Sequence, residues 1–390
     1  MASVTQEIQA LIQAAAANQA NFDPVGFLET VKERLKKACA PGGECDSLSP
    51  NHLDAQGGYF VASDFLAQNG FVSAAEQLLF SWWHNVGTRQ LTEQRHVYRA
   101  GNAYKLTQLY LRQGDMGAAL RWALLTQADD LLSEHGEGGG AGRQWLRTVF
   151  GASEAELSAL KEVSDENLKV VKSGSVQDSK ADWYAEDIVV RFALKDTAYE
   201  HFYSLPSSVR EFPISLPYFR TLLDRIHAPA TSTKEKGDTL EHLASYLFLL
   251  IPGWFPSRNI LDENEGFETD VLVSNLNPTS NLTAELLGRH FLVECKNWER
   301  SMQVRDVGYF LHRMRLTHCS FGVIIAASDV TGKIKGETAA RSLIRRAFHE
   351  DGNTCIVLDS DDLQALASGE ITFWSMLLRE IQRFRFGKPK

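Results

Sequence analysis

The sequence is short of cysteine, of net positive charge and of long hydrophobic runs, and each shortage excludes a class of protein. Its five scattered cysteines have no paired spacing, which argues against a disulfide-stabilised fold and indicates free thiols in a reducing cytosol. The net charge of −9 excludes a protein that coats nucleic acid by bulk charge alone. The longest apolar run, Tyr246–Pro252, is far too short to cross a bilayer.

Several recognisable catalytic motifs are missing as well. There is no Gly-rich phosphate loop, no Gly-x-Ser-x-Gly nucleophile turn and no His-Glu-x-x-His zinc motif. These absences remove the common nucleotide-dependent, serine hydrolase and zinc protease classes from consideration. The sequence also opens without a basic stretch followed by a long apolar segment, so we expect a cytoplasmic protein that makes no contact with a membrane.

What is present is a long chain of ordinary globular composition. Its 390 residues suit two or three domains, and its 44% apolar and 23% charged content is that of a globular protein. Changes in pattern along the chain predict three regions. Residues 1–135 form a helical scaffold, residues 136–236 a Gly-rich linker and a mostly helical middle region, and residues 237–390 an α/β domain.

The first region contains two similar segments. Residues 60–79 and 104–122 each show a helix pattern, a Gly-containing turn and a second helix with paired small residues. This arrangement resembles the tetratricopeptide helix pair, although the offset of 44 residues differs from the regular spacing of about 34. An ordinary irregular helical bundle explains the pattern equally well, and both interpretations predict a scaffold that could bind a protein or an activating ligand.

In the middle region, the Gly-rich segment 136–142 indicates a linker and the apolar run 188–193 predicts a strand. The polar segment 231–237 marks the start of the last domain. From there the pattern predicts helices alternating with apolar strands, as in a mixed sheet flanked by helices. The predicted strands are 268–274, 290–295, 321–327 and 354–358, and the predicted helices are 238–250, 304–316 and 337–348, with two more near Leu363 and Trp374.

The sequence Glu294-Cys295-Lys296 at the end of one apolar strand carries the chemistry. Side chains alternate along a strand, so Glu294 and Lys296 point the same way. Asp270 supplies a second carboxylate near the start of another predicted strand. Two carboxylates can hold Mg²⁺, which typically takes one or two of them plus waters, and a lysine beside them can orient the attacking water. A structural ion pair across the sheet is the alternative interpretation.

Basic residues follow this motif. Between Arg289 and Arg346 there are 11 Lys and Arg against 5 Asp and Glu, a local excess of six positive charges in an acidic chain. If the protein contacts a polyanion, this segment is the expected surface. The candidate phosphate-contacting residues are Arg300, Arg305, Arg313, Arg315, Lys333, Lys335, Arg341, Arg345 and Arg346.

The order Asp270, then Glu294-Cys295-Lys296, resembles the PD-(D/E)xK motif of the restriction-endonuclease-like superfamily, and most closely its Mrr-type branch. The resemblance covers residues 237–360. It implies a restriction-endonuclease-like mixed sheet and an additional carboxylate on the preceding helix, for which Glu241 has the right position. Two departures are Thr269, where the family often has proline, and a long connection from Asn275 to Gly288.

The resemblance also implies a function. Asp270, Glu294, Glu241 and the Cys295 carbonyl are expected to bind Mg²⁺, for which Mn²⁺ can substitute, while Lys296 assists the attacking water. The expected activity is DNA endonuclease cleavage in prokaryotic defence against foreign DNA, regulated or targeted by the helical N-terminal region. A homodimer would allow both strands to be cut. The alternatives are RNA or branched DNA as substrate, or a non-enzymatic helical-repeat scaffold with a structural α/β domain.

Overall fold

The structure is a computed structural model, and it describes residues 3–18, 22–38, 50–93, 96–133, 140–172, 183–195, 200–261, 268–276, 287–297, 304–327 and 337–386. They belong to two compact units. The first comprises Met1–Gly174 and Asp182–Val189, and the second comprises Ser175–Ala181 and Val190–Lys390. The boundaries proposed from composition, at residues 135 and 236, remain predictions.

The described part of the first unit is helical. Its helices are α1 (Val4–Ala17), α2 (Pro24–Ala38), α3 (Pro50–Gln68), α4 (Val72–Glu93), α5 (Ala100–Gln113), α6 (Met116–Leu132), α7 (Ala141–Thr148), α8 (Glu154–Lys172) and the beginning of α9 (Ala185–Lys195). The helical character predicted for residues 1–135 is therefore confirmed for the described residues. The segment 136–139 of the predicted linker lies outside them.

Two helical hairpins, α3–α4 and α5–α6, coincide with the two similar sequence segments. Each first helix ends at a glycine with a left-handed backbone, Gly70 at φ 83° and Gly114 at φ 74°. In both, the amide of the next residue donates to a carbonyl five residues back: Phe71 to Leu66 at 2.8 Å and Asp115 to Tyr110 at 3.0 Å. Glycine adopts this conformation without a Cβ penalty, so the same capping device closes both hairpins.

The core of the first unit contains buried charges. The Arg99 guanidinium is fully buried, lies 3.8 Å from the centre of the Trp83 ring and forms an ion pair with Glu186. Asp129 accepts a hydrogen bond from the Arg99 amide at 2.7 Å and lies 3.0 Å from His96 Nε2. Buried charges are tolerated only when they are paired and hydrogen-bonded, so this network ties the start of α5 to the end of α6 and the start of α9.

The strand predicted at 188–193 is wrong, because these residues lie within helix α9. Ile188, Val189, Val190, Phe192 and Ala193 are all buried. A short helix that is buried all round shows a continuous apolar run rather than a one-sided stripe, and periodicity alone cannot distinguish such a run from a buried strand.

The second unit contains a five-stranded mixed sheet in the order β1-β2-β3-β4-β5. Its strands are β1 (Trp254–Leu261), β2 (Glu268–Asn275), β3 (His290–Lys296), β4 (Phe321–Ala326) and β5 (Thr354–Leu358). Its helices are the end of α9, then α10 (Glu200–Tyr203), α11 (Leu216–His227), α12 (Thr233–Leu249), α13 (Val304–Leu316), α14 (Glu337–Asp351), α15 (Ser360–Ser368) and α16 (Phe373–Phe386).

The first three strands pair antiparallel, and β3, β4 and β5 pair parallel. The coarse prediction of a mixed sheet with helices in the C-terminal part is confirmed, and four of the strands lie where the apolar runs predicted them. Strand β1 was not predicted, since Pro256, Ser257 and Arg258 interrupt its apolar pattern. It lies at the edge of the sheet, where proline is tolerated because one side of the strand has no partner to bond.

Both faces of the sheet are covered. On one face, Phe291 packs its ring edge-to-face against Phe248 of α12 and against Trp254. On the other face, a buried apolar cluster joins Leu292 and Ile324 of the sheet to Phe310 of α13 and other residues of α13 and α14. Strand β4 is buried along its whole length, as its continuously apolar sequence predicts.

None of the described helices combines the length and hydrophobicity that crossing a membrane requires.

Candidate functional site

Strands β2 and β3 bring the two predicted carboxylates to adjacent positions. Their antiparallel ladder pairs Leu272 with Leu292 and Val271 with Val293. Continued by one residue, the same register places Asp270 opposite Glu294. Alternation then puts both side chains, together with Lys296, on the face of the sheet that α13 and α14 cover.

Among the described residues, no cation forms an ion pair with the partly buried carboxylate of Asp270. Its Oδ2 atom accepts a hydrogen bond from the Cys295 backbone amide at 2.7 Å, and its Oδ1 atom has no hydrogen-bond partner among the described residues. Burial, and after it the negative charge of Glu294, raise the pKa of Asp270 to about 7, against the lowering effects of the Cys295 amide and of Lys296. A cation placed beside Asp270 would therefore be favourable.

Glu294 is the opposite case, because both of its oxygens are engaged. Lys296 Nζ forms an ion pair with Oε1, and the Arg313 guanidinium forms one with Oε2. Glu294 is 5% exposed, a position at which an unpaired carboxylate would be costly. The structure therefore joins Asp270, Glu294 and Lys296 into one cluster and adds Arg313, to which the sequence had assigned a different role.

Arg313 lies on the inner side of α13. It is 3% exposed, so it cannot belong to an exposed phosphate-contacting rim. A second guanidinium nitrogen donates to the Glu268 backbone carbonyl, while the Tyr309 and Phe310 rings lie 5.2 and 5.6 Å from the guanidinium carbon. The sequence signal for this buried position is the place of Arg313 among the apolar residues of α13, directly before the buried Met314.

Gly322 allows α13 to approach the sheet closely enough for this contact. A Cβ atom at position 322 would lie 2.7 Å from Met314 Sδ and 2.8 Å from Phe310 Cε1. Such distances are closer than van der Waals contact permits, so a larger residue at position 322 would displace the Met314 and Phe310 side chains of α13. The sheet thus determines where Arg313 stands.

Glu241 is near the cluster but is held by another partner. Its carboxylate accepts hydrogen bonds from Arg258, from Nε at 3.1 Å and also from Nη2. Arg258 pairs with Val271 in the β1–β2 ladder, and paired residues project from the same face of a sheet. Because Val271 is next to Asp270 on β2, Arg258 and Val271 project from the face opposite to that of Asp270. Glu241 is still close enough to contribute to the raised pKa of Asp270.

Cys295 contributes its backbone amide to Asp270, and its thiol is half-buried. Burial raises the pKa of this thiol well above its usual range, and the surrounding negative charges, Asp270 foremost, raise it further. A neutral thiol is a poor metal ligand. The predicted contribution of the Cys295 carbonyl oxygen remains a prediction.

The structure describes some of the predicted phosphate-contacting residues. Arg305 and Arg345 are exposed, on α13 and α14, and Arg346 is exposed beside the latter. Arg315 pairs with Asp351. Arg300, Lys333, Lys335 and the side chain of Arg341 lie outside the described residues.

A cavity of about 460 Å³ lies elsewhere in the second unit, along the edge strand β5. Three arginines line it, Arg345, Arg379 and Arg383, and two of them are neutralised, since Arg379 pairs with Asp362 at 2.7 Å and Arg383 pairs with Glu380 at 2.6 Å. The cavity also contains Asp359 and Asp361. It therefore offers no net positive surface to a phosphate backbone, and the cluster around Glu294 remains the candidate site.

No group of three or more His, Cys, Asp and Glu side chains within the described ranges is arranged to hold a metal ion. A metal bound here would depend on the two carboxylates of β2 and β3. Comparisons with family models, with curated proteins and with solved structures each return no significant match.

Proposed function

We propose that the α/β unit is a metal-dependent phosphodiesterase of the PD-(D/E)xK type that cuts DNA. The observation that carries the proposal is the meeting of Asp270, Glu294 and Lys296 on one face of the sheet, at the ends of β2 and β3. Phosphodiester hydrolysis needs neutralisation of the phosphate charge and an activated water, and these residue types can provide both.

The donor set suits Mg²⁺, with Mn²⁺ as a substitute. Asp270 and Glu294 would hold the ion, in keeping with the one or two carboxylates that Mg²⁺ typically takes from a protein. The raised pKa of Asp270 supports this assignment, since burial and the neighbouring charge of Glu294 make its ionised form unfavourable and a bound cation would offset both. Once bound, the ion would neutralise phosphate charge and lower the pKa of a water molecule.

The protein side chains have separate tasks in this proposal. Asp270 is oriented by the Cys295 amide and Glu294 by Arg313, so both carboxylates are fixed before substrate arrives. Lys296 is 21% exposed and carries its charge on a flexible stem, which allows it to leave Glu294 and contact the attacking water or the phosphate. Glu241 would join the site only by releasing Arg258.

The wider biological role belongs to the same proposal. A cytoplasmic nuclease must be restrained, and the helical first unit, with its two capped hairpins, is a suitable place to bind a regulatory protein or ligand. Arg305 and Arg345 are the exposed candidates for contacts with the DNA backbone. Prokaryotic defence against foreign DNA, cleavage as a homodimer and activity on RNA or branched DNA are extensions that depend on substrate experiments.

One observation favours a second candidate, a non-enzymatic scaffold. Both oxygens of Glu294 are already in ion pairs, as they would be in a purely structural network. The two candidates differ in their response to metal: binding of Mn²⁺ to a folded site raises the melting temperature by mass action, whereas a structural ion-pair network gives no such increase.

The test is cleavage of duplex DNA by the purified protein with Mg²⁺ or Mn²⁺. Asp270→Ala and Lys296→Ala are each expected to reduce the rate by about 100-fold or more, since each removes a group that acts directly in the reaction. Parallel assays with single-stranded DNA, RNA and four-way junctions identify the preferred substrate.

Matched controls are Asp224→Ala and Lys234→Ala, which change exposed residues of the same types on α11 and α12. Both controls should cut at the wild-type rate. Full activity in Asp270→Ala and Lys296→Ala together would show that the nuclease, if any, works elsewhere in the chain.

A further inference from the structure

Arg313 is joined to both strands that carry the candidate carboxylates. One of its nitrogens pairs with Glu294 on β3, and another donates to the carbonyl of Glu268, two residues before Asp270 on β2. A guanidinium offers several donors in one rigid plane, so a single side chain can hold two groups at a fixed separation. Arg313 therefore ties the Glu294 carboxylate to the start of β2.

The two cations on Glu294 differ in their ability to leave it. The Arg313 side chain is 3% exposed and the Lys296 side chain is 21% exposed. Withdrawing Arg313 would leave one oxygen of the buried Glu294 carboxylate without its partner and would require α13 to move. Lys296 is partly exposed and carries its charge on a flexible stem, so it is the cation that a metal ion can displace from Glu294.

Few carboxylate oxygens of Asp270 and Glu294 remain to bind a metal ion. Asp270 has one oxygen held by the Cys295 amide and one without a partner among the described residues. Glu294 has one oxygen held by the buried Arg313 and one held by the exchangeable Lys296. A two-metal centre needs carboxylates that serve both ions, and here a positive guanidinium already lies at the second oxygen of Glu294.

We propose that Arg313 is a positioning residue that permanently occupies one oxygen of Glu294, so that the site takes a single divalent ion, in exchange for Lys296. The inference rests on the proposed metal-dependent function and adds to it the metal stoichiometry and the role of Arg313. Arg313 acts through Glu294 and does not itself contact the substrate.

The first test is calorimetric titration of the metal-free full-length protein with Mn²⁺. One ion per chain is expected, and Asp270→Asn should abolish its binding. Two ions at sites that both depend on Asp270 would overturn the inference while leaving a metal-dependent nuclease intact. One bound ion without cleavage of any nucleic acid would instead refute the proposed function and leave the inference standing. Absence of binding would refute both.

The second test is Arg313→Met, which keeps most of the side-chain volume and removes the charge. Mn²⁺ should bind about tenfold more tightly, because a competing positive charge a few ångströms away is gone. Cleavage should fall by about 100-fold, because Glu294 is no longer held in place. A merely structural role would weaken binding and cleavage together, and that result would overturn the inference.

Arg313→Lys is the conservative variant. It restores the charge without the second donor direction, so Mn²⁺ affinity should return to within about threefold of wild type while cleavage recovers only in part. Arg379→Met is the control, since it removes an arginine from an ion pair with Asp362 away from the site, and it should change neither measurement. If Arg313→Met does not fold, the number of Mn²⁺ ions bound by wild type tests the single-ion site, and Arg313→Lys tests the positioning role. Unchanged cleavage in Arg313→Lys would overturn that role.

Discussion

At the residue scale, the candidate site treats two neighbouring carboxylates differently. Glu294 is compensated by Lys296 and Arg313, while Asp270 receives one backbone hydrogen bond from the described residues and has a raised pKa of about 7. Residues whose pKa is shifted by burial and a like-charged neighbour are concentrated at functional sites. Asp270 is therefore a side chain at which a bound cation would stabilise this unit.

That charge makes a prediction about stability and pH. The folded-state pKa of Asp270 is above its ordinary value of 3.8, so its ionisation opposes folding. The favourable contribution of the protonated form is complete below about pH 4 and is lost as the pH rises through 7. Asp270→Asn, which stays neutral and can still accept the Cys295 hydrogen bond, should therefore exceed metal-free wild type in stability near pH 8 by up to about 4 kcal/mol.

Urea unfolding of both proteins across this pH range measures the difference. Asp224→Asn, at an exposed position, should run parallel to wild type. Equal stabilities of Asp270→Asn and wild type at all pH values would contradict the raised pKa. Saturating Mn²⁺ at high pH should raise the free energy of unfolding of wild type and leave that of Asp270→Asn unchanged.

At the element scale, the contact between α13 and β4 controls the site. Gly322 leaves room for Met314 and Phe310, and this close packing brings Arg313 of the same helix to Glu294. Helix α13 therefore links the apolar core beneath the sheet to the charged cluster at the ends of its strands.

Gly322→Ala should destabilise the second unit by about 1–3 kcal/mol, because the added methyl group overpacks a core that has no free volume there. It should also lower cleavage, because α13 must shift and Arg313 shifts with it. Chemical unfolding and a cleavage assay on the same variant measure the two effects. Gly308→Ala on α13 is the matched control, since its Cβ would lie at an ordinary 3.6 Å from Leu343. That control should stabilise by up to about 1 kcal/mol, and equal effects of the two variants would contradict this account.

At the scale of the whole molecule, the chain contains two compact units. The first has a helical core with the buried Arg99 network, and the second has a sheet with its carboxylate cluster. Units with separate cores can unfold in separate steps, and a ligand stabilises the step of the unit to which it binds.

Calorimetry should therefore resolve two unfolding transitions, and Mn²⁺ should raise the midpoint temperature of only one of them. Arg99→Met should lower the other, because it leaves Glu186 as an uncompensated buried charge, at a cost of about 3–5 kcal/mol. The double variant Arg99→Met with Glu186→Gln should recover part of this loss. A single transition that both Mn²⁺ and Arg99→Met shift would contradict independent units.

Much of the second unit could be predicted from local pattern, and the exceptions have identifiable causes. Helix α13 begins and ends where its apolar spacing predicts, and β4 lies where its apolar run predicts. Strand β1 is not predicted because Pro256 and polar residues interrupt its apolar pattern. The strand prediction at 188–193 is wrong because a helix buried on all sides lacks the one-sided apolar stripe that identifies a helix.

The sequence by itself determined which residues share a strand face: Glu294 and Lys296 project together because side chains alternate, and no tertiary contact is needed to know it. Only the tertiary structure decided the partners. Asp270 meets Glu294 through the register of β2 and β3, Arg313 reaches Glu294 from a helix 19 residues further along, and Glu241 pairs with Arg258. Such pairings depend on packing distances between elements, as at Gly322, and those distances are absent from any local pattern.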